Sequence, residues 1–248
     1  MKPLLIISLL SLGPFVSCEK KGKPAPAMSD RTVPPGAARA TAAAANVRPA
    51  LQRDLTAVGL KFGDPVFIRA FKEEKQLELL VHNRATGKFD LFRTYPIAAA
   101  SGILGPKLVE GDGQVPEGFY FVPPAAMKPD SQFHLSFNIG YPNEYDRAHQ
   151  RTGSDIMIHG NQVSSGCIAM TDEKIEEIYT LCAAALDGGQ LYFRVHIFPF
   201  RMTAARMHDA VGNSNEAFWK NLKQGYDLFE KIHVPPEVSV VDGCYQFE

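Results

Sequence analysis

The chain has 248 residues, 45% hydrophobic and 21% charged, enough apolar material for one sizeable core with appendages. A formal net charge of −1 gives no electrostatic footprint for nucleic acid or for an anionic membrane surface, so nucleic-acid binding is set aside. The four cysteines, Cys18, Cys167, Cys182 and Cys244, show no Cys-x-x-Cys spacing; a zinc site is unsupported and no cofactor is expected.

At the N-terminus, Lys2 and the apolar run Leu4 to Val16 have the form of an export signal, the run being too short for a stable bilayer-spanning anchor. It ends in Phe15-Val16-Ser17-Cys18, which resembles the lipobox preceding the lipid-modified cysteine of bacterial lipoproteins, with Phe15 where Leu is usual. That resemblance implies residues 1–17 as a signal peptide and Cys18 as the lipidation site, with Glu19 compatible with sorting to an outer membrane. Ordinary signal cleavage nearby, leaving a soluble exported protein, is the alternative. Residues 18–46 are rich in Ala, Pro, Lys and Gly and nearly free of large apolar side chains, the composition of a tether.

A short helix is expected over Pro49–Val58, then strands over Val66–Phe71, Leu77–His82 and Phe89–Ala99, with Asn83-Arg-Ala-Thr-Gly87 as a hairpin loop. Gly118–Val122, Phe133–Ile139 and Asp155–His159 continue the β pattern. A helix with an acidic first turn is expected over Asp172–Leu186, stopped by Gly188-Gly189, followed by a strand over Leu191–Phe198. Beyond residue 200, a helical extension places Phe218, Leu222, Tyr226 and Phe229 on one face, and Val238–Val241 is a last short strand. Many strands and few helices predict a mostly β, α+β domain. Cys182 shares a helical face with Ile175 and Ile178 and is expected to be buried; a Cys182–Cys244 disulfide stays open.

The chemistry concentrates in Asp155-Ile-Met-Ile-His159-Gly160-Asn-Gln-Val-Ser164-Ser165-Gly166-Cys167-Ile-Ala-Met170. A thiol at neutral pH is mostly protonated and only its thiolate attacks carbonyls well, so an imidazole able to take the proton gives a His–Cys pair its meaning. Gly166 permits a sharp turn before Cys167, and such a turn can aim backbone N–H groups at an oxyanion.

This segment resembles the catalytic domain of the L,D-transpeptidase (YkuD) family of cell-wall enzymes, in which His-Gly precedes Ser-x-Gly-Cys. The counterparts here are His159-Gly160 and Ser165-Gly166-Cys167, with Ser164 available if the alignment slips by one. Ala100-Ser101-Gly102, the run Glu110-Gly-Asp112-Gly-Gln-Val-Pro116-Glu-Gly118-Phe-Tyr120 and Ser136-Phe-Asn138-Ile-Gly140-Tyr141-Pro142-Asn143 are similar to further family segments, so the likeness covers residues 62 to 200. Two departures stand out: the commonest members have a second His before Gly-Cys and an Arg two positions after the Cys, where this chain has Ser165 and Ala169. Ser164-Ser165-Gly166-Cys167-Ile168-Ala169-Met170 matches the YafK-like branch instead.

The resemblance implies a β-sandwich catalytic domain over residues 47–200 with a helical extension over 201–248, Cys167 as nucleophile and His159 as its base. It also implies Gly166, Ser165 and Gly160 in oxyanion or orienting roles, and no metal. Tyr141, Asn143 and Ser101 are candidate substrate contacts, although a Tyr-Pro-Asn turn explains the first two equally well. Asp112 and Glu117 are expected in a solvated turn. The implied activity is cysteine acyl transfer on amide bonds of peptidoglycan stem peptides. Hydrolysis of the link between peptidoglycan and a wall-linked lipoprotein is the variant, and a non-catalytic wall-binding lipoprotein is the third possibility. The implied location is the cell envelope or periplasm, on a membrane through an N-terminal lipid anchor.

Overall fold

The computed structural model describes residues 35–248; the export signal, Cys18 and the first part of the expected tether lie outside the described residues. In chain order the elements are α1 (Pro35–Ala57), β1 (Val66–Phe71), β2 (Gln76–Asn83), β3 (Lys88–Pro96), β4 (Ala99–Ala100), β5 (Gly118–Val122), β6 (Met127–Lys128), β7 (Ser136–Asn138) and α2 (Glu144–Ala148). Then come β8 (Met157–His159), β9 (Ile168–Ala169), α3 (Asp172–Asp187), β10 (Phe193–Phe198), α4 (Ala204–Asp209), α5 (Glu216–Ile232), β11 (Val238–Val241) and β12 (Cys244–Phe247). This is an α+β fold in which strands outnumber helices.

Two five-stranded sheets carry it, ordered β3-β2-β1-β10-β5 and β4-β9-β8-β7-β6. All neighbours run antiparallel except β1 with β10 and β8 with β9. Alternation along the strands sends Ile68, Leu77, Leu79, Val195 and Ile197 of the first sheet into one core with Phe137, Ile158 and Ile168 of the second. The Phe137 and Phe193 rings meet there edge to face, 5.2 Å apart. Every residue of β1 is buried, which alternation alone does not predict. The reason is a second layer: Phe67, Phe71, Phe119 and Phe198 on the outer face lie under Phe218, Trp219, Leu222, Tyr226 and Phe229 of α5.

Residues 35–46, expected as tether, are the first half of α1. An Ala-rich run has high helix propensity, and here it gains a face to bury, with Ala43, Leu51 and Leu55 packed in the core beside α3. The expected strand starts at Phe133 and Asp155 are delayed because His134 and Asp155 take positive φ (68° and 55°), which breaks the extended run. The last strand is half of a hairpin: Asp242 and Gly243, at φ 49° and 71°, turn the chain so that β12 pairs with β11. Cys182 is fully buried in α3, whereas Cys244 is exposed on β12, and both are free, so the disulfide left open by the sequence is not formed.

Candidate active site

β8 and β9 pair in parallel with Ile158 opposite Ile168 and His159 opposite Ala169. Ile158 and Ile168 face the core, so His159 and Cys167, the residue entering β9, project together from the opposite face as diagonal neighbours. The ends of two short strands thus unite residues eight apart in sequence.

His159 is 2% exposed, and its Nδ1 lies 2.5 Å from the Gly160 carbonyl oxygen. A proton on Nδ1 donates in that bond and leaves Nε2 as the basic nitrogen. Burial pushes the imidazole below its ordinary value, with the Gly160 bond opposing, so the ring is neutral at pH 7. The Phe133 ring leans on the imidazole, centroids 4.8 Å apart. Gly160 has no room for a side chain: a Cβ there would come within 2.6 Å of Asp172 Oδ1 and 2.8 Å of the Phe133 carbonyl oxygen.

The Cys167 thiol is half-buried, with Sγ 3.4 Å from the Met157 N–H nitrogen and 3.7 Å from the Asp155 carbonyl oxygen. Burial raises its pKa, with the Met157 N–H opposing, so the resting pair is neutral thiol and neutral imidazole. Around it the backbone is tightly held. Gly166, at φ 85°, donates its N–H to Ser101 Oγ at 2.6 Å, and Ser101 donates in turn to the Gly113 carbonyl at 2.7 Å. Ser164 Oγ accepts the Cys167 N–H at 3.1 Å and donates to the Cys167 carbonyl. The N–H groups of Gly166 and Cys167, expected to face an oxyanion, are therefore both engaged by serine hydroxyls. Ser164, the alternative in the alignment, makes these bonds, while Ser165 is exposed.

Other candidates fall elsewhere. Tyr141 is buried, its hydroxyl 3.3 Å from the carbonyls of Lys107 and Thr152. Asn143 caps α2 through a reciprocal bond with Asp146 and donates to the Phe119 carbonyl and Tyr245 hydroxyl. Their polar atoms hold the frame. Ser101 does reach the candidate site, bonded to the loop that precedes Cys167. The turn carrying Glu117 is not solvated: the carboxylate is fully buried and accepts from Lys72 Nζ (2.9 Å), the Gly105 N–H (2.7 Å) and Trp219 Nε1 (2.8 Å). A turn full of Asp, Gly and Glu looks wet in sequence, and only the donors from Lys72 just after β1, from Gly105 and from α5 make burial tolerable. Asp112 is partly buried, which opposes its ionisation. Bonds from Lys107 and from the N–H groups of Gln114, Leu108 and Val109 outweigh that and pull its carboxyl down to about 2.

Two features of the cleft had no sequence signal. Lys128, Asp130, Ser131, Gln132, Phe133, Ser136 and Met157 line an open hollow of about 300 Å³, with neither His159 nor Cys167 in its lining. The 131–134 loop is fastened from α1, where Arg39 Nη1 donates to the carbonyls of Ser131 (2.8 Å) and His134 (2.6 Å) and Gly36 lies directly against Asp130.

Comparison with known proteins places these features in context. The model of the L,D-transpeptidase catalytic domain (YkuD) family matches residues 65–197. Over 183 residues the chain is 48% identical to the Escherichia coli K12 protein described as "Putative L,D-transpeptidase YafK", covering 74% of each. Among solved structures it is similar to the helical cell shape determining protein Pgp2 of Campylobacter jejuni, at 18% identity and a TM-score of 0.43 over 77% of this chain and 80% of that one. Bd1075 of Bdellovibrio bacteriovorus gives 18% identity and a TM-score of 0.39 over 72% and 78%.

Proposed function

The chain belongs to the L,D-transpeptidase catalytic domain (YkuD) family, and from that premise we propose that it acts on amide bonds of peptidoglycan stem peptides through a thioester on Cys167. The observation that carries this is the shared sheet face of His159 and Cys167, with the Gly160 carbonyl fixing the imidazole so that Nε2 is the base. As the Cys167 sulfur attacks the carbonyl carbon, its proton passes to His159 Nε2. The tetrahedral oxygen gains negative charge and competes with the Ser164 hydroxyl for the Cys167 N–H, since a charge-assisted bond is the stronger. Collapse breaks the C–N bond, and the departing amine takes the proton from Nε2. An acceptor then loses a proton to the same nitrogen, attacks the thioester and releases Cys167 as the thiol.

An amine acceptor gives L,D-transpeptidation and water gives amide hydrolysis, the outcome toward which the YafK-like signature leans. Sacculi incubated with the protein separate the two: new 3–3 crosslinks identify transfer, and release of a wall-linked lipoprotein identifies hydrolysis. The mechanism is tested with Cys167→Ala and His159→Ala against wild type on purified muropeptides. Full turnover by the cysteine variant refutes it. Sacculus binding that survives Cys167→Ala, with no turnover by any form, identifies a non-catalytic wall-binding protein instead.

We also propose export to the cell envelope and attachment to a membrane through a lipid on Cys18. No helix of the described residues is long and apolar enough to cross a membrane. Membrane association that persists in Cys18→Ser cells refutes the anchor and leaves the chemistry standing.

A further inference from the structure

On the side of the two-sheet core away from His159 and Cys167, the outer face of the first sheet borders a second hollow. Register sets Phe119 of β5 opposite His196 of β10 and Phe121 opposite Arg194, so two rungs at that edge point the same way. The hairpin of β11 and β12 lies over the inner rung, where the Tyr245 and Phe247 rings meet Phe119 at 4.9 and 5.1 Å. Between sheet and hairpin is a space of about 230 Å³. Buried His196 and partly buried Val238 and Val240 line its floor, and exposed Phe121, Tyr192 and Glu237 line its mouth.

His196 marks this hollow as built for a ligand. Both its ring nitrogens are buried in the lining, and neither has a hydrogen-bond partner. Buried polar groups are normally paired, so an imidazole left bare beside a hollow lacks a partner that a ligand can bring. A neutral imidazole carries one N–H donor and one acceptor nitrogen. It therefore suits a ligand that both accepts and donates, as hydroxyl and amide groups do; a carboxylate or an ammonium answers only half of it. Charge at the mouth points the same way. Arg194 is paired with Glu237 at 2.5 Å, so that cation is already neutralised. Glu144 on the rim has no ion-pair partner among the described residues, which repels anions and leaves acceptors for hydroxyls.

We propose that this hollow binds an N-acetylated pyranose sugar, one unit of a glycan strand. A pyranose has a weakly positive C–H face and an edge of hydroxyls. The face lies on Phe121, which is 56% exposed and stands 5.3 Å from the Tyr192 ring, since an aromatic face is the negative end of its quadrupole. The edge hydroxyls bond the Arg194–Glu237 pair and Glu144. The acetamido group enters the floor, its methyl against Val238 and Val240 and its amide against the bare nitrogens of His196. No bond is made or broken there, so the site goes beyond the thioester chemistry and stands independently of it. Where the wall is the substrate, a grip on the glycan raises the local concentration of stem peptides around Cys167 without adding a contact to the thiol.

The test is calorimetric titration of the purified protein with tetra-N-acetylchitotetraose, with cellotetraose, which has hydroxyls in place of the acetamido groups, and with a free stem tetrapeptide. Neither sugar offers a stem-peptide amide, so the result does not depend on the reaction at Cys167. Wild type is expected to bind the acetylated sugar saturably and cellotetraose about 10-fold more weakly or worse. Phe121→Ala, which alters an exposed side chain, and His196→Leu, which keeps an apolar group between the Phe67 and Phe119 rings, should each weaken the acetylated sugar about 10-fold. In the wild type the ring nitrogen resonances of His196 should shift as that sugar is added. No binding, equal binding of the two sugars, or wild-type affinity in either variant overturns the proposal. Tetrapeptide binding that is tighter than sugar binding and is lost in the same two variants also overturns it, and assigns the hollow to a peptide.

Discussion

Acid is expected to unfold this protein through one histidine remote from the thiol. His196 sits in β10 opposite Arg69 of β1 and Phe119 of β5; it is 1% exposed and neither ring nitrogen has a hydrogen-bond partner. The rings of Phe67 and Phe119 stand edge-on to it, each 4.6 Å away. Burial, reinforced by the positive charges of Arg194 and Arg69, pushes its pKa well below the ordinary value. The unfolded chain takes this proton near pH 6.5 and the folded chain refuses it, so the stability present above that pH is lost as pH falls. Holding one imidazole neutral from pH 7 to pH 5 costs about 2 kcal/mol of folding stability. The perturbation is His196→Leu, close in volume and without the orphaned nitrogens, and the assay is urea denaturation of both proteins at pH 7 and pH 5. Wild type should lose about 2 kcal/mol more than the variant across that interval, and the variant should be no less stable at pH 7. His159 shifts in the same direction but is present in both proteins, so the difference isolates His196. Equal losses would refute the reasoning.

Three further outcomes are expected. Glu117→Gln strands the buried Lys72 ammonium and should cost about 3 kcal/mol, a fall in Tm of about 10 °C by calorimetry. Gly166→Ala forces a side chain onto a φ of 85° and should cost about 1 kcal/mol while lowering turnover at least 10-fold, because the Cys167 loop must shift. Alkylation of Cys167 by iodoacetamide should still be accelerating above pH 9, where an ordinary thiol levels off, because burial raises this one; a plateau by neutral pH would mean a resting thiolate–imidazolium pair.

Most strands, α3 and the apolar face of α5 were legible because period-2 and period-3.6 patterns report burial directly. The motif singled out His159 and Cys167, and the strand register adds that they project from one sheet face. What stayed hidden depended on distant partners. The alanines of 35–46 carry no periodic apolar stripe, and only α3 gives them a surface to cover. Glu117 reads as solvated until Lys72 and Trp219 arrive from positions 45 and 102 residues away.

The fastening of the 131–134 loop by Arg39 has a mechanical side. Gly36 and Arg39 stand in the first turns of the described chain, so a load on the preceding segment enters the folded unit there. The first contacts to feel it are those on Asp130, Ser131 and His134, which flank Phe133 and, through it, the imidazole of His159. Tension on the chain ahead of α1 would thus reach the 131–134 loop before either sheet, so the segment flanking His159 is the first part of the fold to yield to a pull from that side.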